Sequence, residues 1–235
     1  MKIAGLQKMT LLDYPGKVAC TVFLPGCNYR CPFCHNSGLL ETAPEAITAK
    51  ELLVFLEKRQ GLLDGVCITG GEPTLQKDLP QFLEDIKALG YPVKLDTNGS
   101  NPTMLGQLLE QGLVDYVAMD VKNCPARYGE TVGIADMPLD KTEQSLRLLL
   151  SGRIDYELRT TCVAEFHNVP EIRAMGAWVE GLVPGVKPPT WYLQCFVDRD
   201  SVLQSGLHSH NREKMEEMRK ALEPHGKIVS CRGLD

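Results

Sequence analysis

The chain has 235 residues, 43% of them apolar and 23% charged, which is ordinary for a globular protein with one sizeable core or two small ones. Its formal charge of -5 argues against a general nucleic-acid or membrane-surface binder, since such proteins usually carry net basic charge. No apolar run reaches the roughly 18 residues that span a bilayer, and residues 1–12 lack the pattern of a secretory signal, so the expected location is the cytoplasm, with neither membrane nor nucleic acid as partner.

Strand and helix alternate along the chain, without repeats or low-complexity tracts. Residues 18–24 are a β-rich apolar run ended by Pro25-Gly26. Thr48-Ala49-Lys50-Glu51 fits a helix capping box, followed by an apolar face of Leu52, Leu53, Phe55 and Leu56. Residues 65–69 form a second strand closed by Gly70-Gly71, and residues 79–89 predict a helix stopped by Gly90. The third strand covers 92–96. Asn101-Pro102 then opens a helix in the preferred order, cap then proline, and Gly112 ends it. The fourth strand covers 115–121, a helix 140–150 stopped by Gly152, and the fifth strand 156–163. A helix over 168–180 has Pro170 in its first turn. The sixth strand covers 190–197, the last helix 211–222, and residues 227–231 add a terminal strand.

Regular βα alternation implies parallel strands joined by right-handed crossovers. Six such units are too few for a closed eightfold barrel. The expected fold class is therefore α/β, a partial (β/α)6 TIM-type barrel with a parallel sheet. No linker divides it, so residues 1–235 are expected to form one domain. Functional residues should sit where strands end and βα loops begin.

Nine cysteines are present, and in a cytosolic setting clustered cysteines more often bind metal or do redox chemistry than form disulfides. Cys27, Cys31 and Cys34 fall within eight residues directly after the first strand. Three thiolates on one loop can wrap one metal centre. A cubane iron–sulfur cluster usually takes four thiolates, so three would leave one iron open. The alternative is a zinc site of three cysteines plus His35. Cys20, Cys67 and Cys162 lie inside apolar strands and are expected to be small core residues. Cys124, Cys195 and Cys231 are scattered and receive no ligand role. His167, His208 and His210 are expected to be solvated loop residues.

Later strand ends carry further polar motifs. In Gly70-Gly71-Glu72-Pro73 two glycines let the backbone approach a ligand, and Glu72 can accept from an ammonium; the same residues also make an ordinary turn. Asp96-Thr97-Asn98-Gly99 ends the third strand and Asp120-Val121-Lys122 the fourth, although a strand-end Asp often only caps the next helix. Arg159 lies in the fifth strand, where it could simply pair with a carboxylate.

Together these residues resemble the radical S-adenosylmethionine enzymes. The C-x3-C-x2-C spacing with Phe33 before the last cysteine is similar to that family's hallmark, and the Gly-Gly-Glu, Asp-Thr-Asn-Gly and Asp-x-Lys segments resemble its later motifs. The resemblance implies a 4Fe–4S cluster on Cys27, Cys31 and Cys34. It implies S-adenosylmethionine bound by Phe33, Gly70, Gly71, Glu72, Asp96, Asp120, Lys122 and Arg159, and more weakly a monovalent cation at Asp96 and Asp120. An external electron donor of flavodoxin or ferredoxin type would reduce the cluster. The electron would then pass to the sulfonium, and its carbon–sulfur bond would break to leave methionine and a 5′-deoxyadenosyl radical.

Asp13-Tyr14-Pro15-Gly16, just before the first strand, resembles the D-G-P-G segment of enzymes that activate glycyl radical enzymes, with Tyr14 in place of the middle glycine. By that likeness Asp13 would grip a partner's glycine loop at the barrel mouth and the chain would be an oxidoreductase that removes a glycine α-hydrogen. Asp-x-Pro-Gly is also a good turn sequence in its own right. Residues 12–36 most resemble the longer type of anaerobic ribonucleoside-triphosphate reductase activating protein. Cys34-His35-Asn36 departs from the shorter type and is shared with formate-lyase activases. The rival readings are a radical enzyme acting on a small molecule and a non-catalytic zinc-binding module.

Overall fold

The computed structural model describes residues 1–41 and 44–234. They group into two compact units: Met1–Asn28, Gly38–Thr97 and Asn101–Ala118 in the first, and Tyr29–Ser37, Asn98–Ser100 and the residues from Met119 onward in the second. The fold is α/β with a mostly parallel central sheet, as its sequence pattern predicts.

The first unit holds strands β1 (Lys2–Ile3), β2 (Gly5–Thr10), β3 (Ala19–Leu24), β4 (Ile47–Thr48), β5 (Gly65–Gly70) and β6 (Val93–Thr97). It also holds helices α1 (Ala49–Glu57), α2 (Leu79–Ala88) and α3 (Pro102–Glu110). Strands β3 and β5 pair in parallel with Thr21 opposite Cys67, and β5 pairs β6 in parallel with Cys67 opposite Lys94. Strand β2 lies antiparallel on the outer side of β3. The capping box forms as predicted: the Thr48 side chain accepts from the Glu51 N–H, and the Glu51 carboxylate accepts from the Thr48 N–H at 2.9 Å. Asn101 caps α3 by accepting from the Met104 N–H at 3.2 Å.

Strand β7 (Tyr116–Asp120) begins in the first unit and ends in the second, which continues with β8 (Asp155–Cys162), β9 (Trp191–Cys195) and β10 (Val229–Arg232). Strands β8, β9 and β10 pair in parallel. The strand order is β10-β9-β8-β7-β6-β5-β3-β2. Helices α4 (Tyr128–Val132), α5 (Asp140–Leu150), α6 (Val169–Leu182) and α7 (Arg212–Leu222) belong to this unit. Asn168 and Glu171 form a second capping box at the start of α6.

The predicted strands and helices all appear, within one or two residues at most ends, and the terminal strand joins the sheet. Strand β2 had no counterpart in the sequence reading. It is an edge strand whose side chains are mostly exposed or half-buried, so it carries no alternation for a period-2 search to find. Helix α4 was missed because five residues are too few to show a helical period.

Candidate functional site

In the first unit, the segment after β3 and the segment after β5 are laced together beyond their strands. The Gly71 N–H donates to the Leu24 carbonyl at 2.8 Å and the Glu72 N–H to the Gly26 carbonyl at 2.7 Å. A Cβ at Gly70, whose φ is +126°, would lie 2.2 Å from the Leu24 oxygen, and one at Gly71 would lie 2.1 Å from the Gly26 oxygen. The glycine pair thus admits the chain's own backbone, on the stretch that leads directly into Cys27.

Glu72 is fully buried. Its Oε1 accepts from the Thr74 N–H at 3.1 Å, the Thr74 hydroxyl at 2.5 Å and the Thr97 hydroxyl at 2.7 Å, which ties the β5 loop to the end of β6. Asp96, also at that end, accepts from the Lys94 ammonium and lies 3.8 Å from the Cys67 sulfur. Lys94 is 1% exposed and was overlooked in the sequence, where it counts only as one polar residue in an apolar strand. The available signal was the spacing: Lys94 and Asp96, two apart in a strand, share one face.

Asp13 sits elsewhere than expected. Thr10 pairs with Ala19, the first residue of β3, so the loop after β2 starts at the N-terminal ends of the parallel strands. The Thr21 hydroxyl donates to Asp13 Oδ2 at 2.6 Å. The Tyr14 ring lies against Gly65, the first residue of β5, and 6.1 Å from the ring of Tyr116, the first residue of β7. The loop is therefore not at the mouth formed by the C-terminal strand ends. An antiparallel strand entering β3 must deliver its following turn to the opposite edge.

In the second unit, the loop bearing Cys31, Phe33 and Cys34 is clamped along its length. The Arg30 N–H donates to the Val132 carbonyl at 2.8 Å, and the Cys34 N–H to the Cys31 carbonyl at 3.0 Å. Phe33 is buried against the rings of Phe166 at 5.8 Å and His167 at 6.3 Å. The His35 ring stacks on Phe196, and its Nε2–H donates to the Val197 carbonyl at 2.7 Å, which commits that nitrogen away from a metal.

Beside this loop, Lys122 donates to Asp120 Oδ2 at 2.7 Å, and Arg159 donates to Asp120 Oδ1 at 3.1 Å. Burial alone would push the Asp120 carboxyl up, but Lys122 and then Arg159 outweigh it and hold it at about 2. Burial likewise opposes the charge on Lys122, yet Asp120, followed by Cys31, keeps the ammonium protonated above its ordinary range. Burial pushes the Cys34 thiol up, while the Asn36 N–H and Lys122 oppose that shift. Cys31 and Cys34 thus share one loop with an ammonium beside them, a setting that favours the thiolate form a metal ligand needs.

His167 corrects the expectation of a solvated ring. It is 1% exposed; the Val163 N–H donates to Nδ1 at 3.1 Å, and Nε2–H donates to the Lys122 carbonyl at 2.7 Å. Burial pushes its pKa down to about 4. An unfolded histidine takes up a proton near pH ~6.5, so the ring's stabilising contribution is intact above that value and is lost as pH falls towards about 4. Between about pH 7 and about pH 4.5, the parent should lose roughly 2–3 kcal/mol more stability than a His167→Gln protein does, as read from urea midpoints. Equal losses would show that His167 is not held neutral. His208, by contrast, is exposed, with Nδ1 2.7 Å from Glu165 Oε1. His210 is half-buried, with Nε2 2.9 Å from the His167 carbonyl.

The remaining cysteines fit their expected places: Cys20, Cys67 and Cys162 are fully buried in strands. Among the described residues no helix is long and apolar enough to cross a membrane.

The chain is similar to known proteins in sequence and in fold. The model of the Radical SAM superfamily matches residues 21–164. A Methanocaldococcus jannaschii protein, provisionally named a glycyl-radical enzyme activating enzyme, is 32% identical over 182 residues, or 76% of this chain and 75% of that one. The pyruvate formate-lyase-activating enzyme of Clostridium pasteurianum is 34% identical over 131 residues, 52% of each chain, so the match spans about half of that relative. In fold, the chain is similar to Streptococcus suis SuiB bound to its precursor peptide SuiA, with a TM-score of 0.70 at 12% identity over 91% of this chain and 48% of that one. A family model matched across more than half of the sequence, and a relative alike over three quarters of both lengths, show that this chain belongs to the radical SAM superfamily.

Proposed function

We propose that this chain is an activase that reductively cleaves S-adenosylmethionine and abstracts a glycine α-hydrogen from a partner glycyl radical enzyme, specifically an anaerobic ribonucleoside-triphosphate reductase. The observation that carries the reading is the match to the M. jannaschii activating enzyme across three quarters of both chains. The family implies a 4Fe–4S cluster and S-adenosylmethionine. When bound, these groups supply the electron and the hydrogen-abstracting fragment.

The protein's own part is holding and positioning. Cys27, Cys31 and Cys34 are proposed as the three cluster ligands, and the clamped loop around Phe33 supports them by fixing the positions of Cys31 and Cys34 before metal arrives. Gly70, Gly71, Glu72 and Asp96 in the first unit, and Asp120, Lys122 and Arg159 in the second, are proposed to bind S-adenosylmethionine. Asp13 is proposed to contact the partner, and a flavodoxin- or ferredoxin-type protein to deliver the electron.

The test is anaerobic co-incubation of the iron-loaded protein with S-adenosylmethionine, a reductant and candidate glycyl radical enzymes, watched by electron paramagnetic resonance. A glycyl radical signal should grow with the anaerobic reductase. A signal only with a formate-lyase would reassign the client. Brisk cofactor cleavage with no protein radical in any mixture would point instead to a small-molecule substrate.

A further inference from the structure

A monovalent cation is expected at Asp96 and Asp120 by the family resemblance. Side chains of the protein already meet that need. Asp120 is bracketed by Lys122 and Arg159. Asp96 has Lys94, and the placement of Lys94 is what distinguishes this site. In β6, Val93 and Leu95 are fully buried on one face, while Lys94 and Asp96 share the other. The register aligns Thr21, Cys67 and Lys94 across three strands, so Lys94 sits one row before Asp96. Its ammonium, almost fully buried, meets Asp96 Oδ1 and lies 3.9 Å from the Cys67 sulfur.

We propose that Lys94 is the built-in counter-cation of Asp96, so that S-adenosylmethionine binding by this chain does not depend on sodium or potassium. The ammonium and a metal ion exclude each other at the same oxygen. The Cys67 thiol also lies beside Lys94, and a second positive charge a few ångströms from the ammonium would be repelled. A long side chain is not left buried without its carboxylate, so the two residues are a unit. This inference rests on the reading of Asp96 as a cofactor-binding residue.

The experiment uses the iron-loaded protein, handled anaerobically, with S-adenosylmethionine binding measured at equilibrium in potassium, sodium and tetramethylammonium salts of equal ionic strength. The parent should bind equally in all three, within about twofold, and so should Lys94→Arg. Lys94→Met should bind about tenfold or more weakly in tetramethylammonium and recover in part when potassium or sodium is present. Its thermal midpoint, read without cofactor, should fall by roughly 10 °C. If Lys94→Met does not fold, the double variant Lys94→Met/Asp96→Asn, which removes both charges, should fold and bind weakly in every salt.

A parent that loses affinity in tetramethylammonium overturns the proposal, as does a Lys94→Met or double-variant protein that binds like the parent. Asp96→Asn separates the two levels. If it binds normally, Asp96 leaves the cofactor site and the proposal goes with it. If it binds poorly while Lys94→Met binds normally, only the role given to Lys94 is wrong.

Discussion

A Cys31→Ala protein is expected to lose its iron and its cleavage of S-adenosylmethionine together, with little change in stability. The local motif offers three thiolates, one fewer than a cubane cluster normally takes, so removing one leaves too few to hold it. The loop itself should survive. Its hold comes from backbone bonds, Arg30 N–H to the Val132 carbonyl and Cys34 N–H to the Cys31 carbonyl, and from Phe33 packed on Phe166. None of these uses the Cys31 sulfur, and losing one small side chain from such a loop should cost no more than about 1–2 kcal/mol. Anaerobic iron analysis, the brown colour of the protein and its thermal melt separate the outcomes. A colourless, stable protein with no cleavage is the expected result. A Cys31→Ala protein that keeps full iron and activity would remove Cys31 from the ligand set. Zinc in place of iron in the parent, with no colour under any loading condition, would return the loop to the zinc reading, with His35 ligating through Nδ1 because its Nε2–H is engaged by the Val197 carbonyl.

The Asp13→Ala protein should keep its iron and cleave S-adenosylmethionine slowly without a client, yet lose most glycyl radical formation, by about tenfold or more. Asp13 already accepts one hydrogen bond, from the Thr21 hydroxyl, and Thr21 is in register with Cys67, itself in register with Lys94 one row before Asp96. Asp13 therefore belongs to the same strip of the first unit as Asp96, at the end where the parallel strands begin. Leu11 and Leu12 beside it are 71% and 86% exposed, so the loop is open to a partner. A carboxylate there can accept backbone N–H bonds from an incoming glycine loop, each contributing roughly 1.5–3 kcal/mol, and Pro15 shapes the turn in advance. The competing account is that Asp13 only braces its turn through Thr21. Thr21→Val removes that brace and leaves the carboxylate in place. If Asp13→Ala and Thr21→Val lower glycyl radical formation equally, or neither lowers it, the loop is a structural turn and the argument for a protein client from this segment is lost.

The sequence by itself determined the elements whose side chains repeat with a period or cap an end. The Thr48-Ala49-Lys50-Glu51 box, the Asn101-Pro102 start of α3 and the apolar runs of β3, β5, β6 and β7 are local events, settled by neighbours a few residues apart. So is the cysteine spacing, because three ligands within one loop need no distant partner to be recognised. What required the tertiary structure was everything decided by residues remote in sequence. Strand β2 takes its identity from β3, against which it pairs at the edge of the sheet, and so the turn at Asp13 lies at the strands' N-terminal edge. The Gly70-Gly71 pair reads as space for a ligand, and only the strand register reveals that the Leu24–Gly26 backbone also needs that space. His167 looks like one more loop histidine until Val163 and Lys122 close on its two nitrogens and burial keeps it neutral. Lys94 is a polar residue in an apolar strand until the sheet excludes water from around it. The Asp96 carboxylate then becomes the group that makes its charge tolerable, because a buried ammonium is stable only beside a counter-charge.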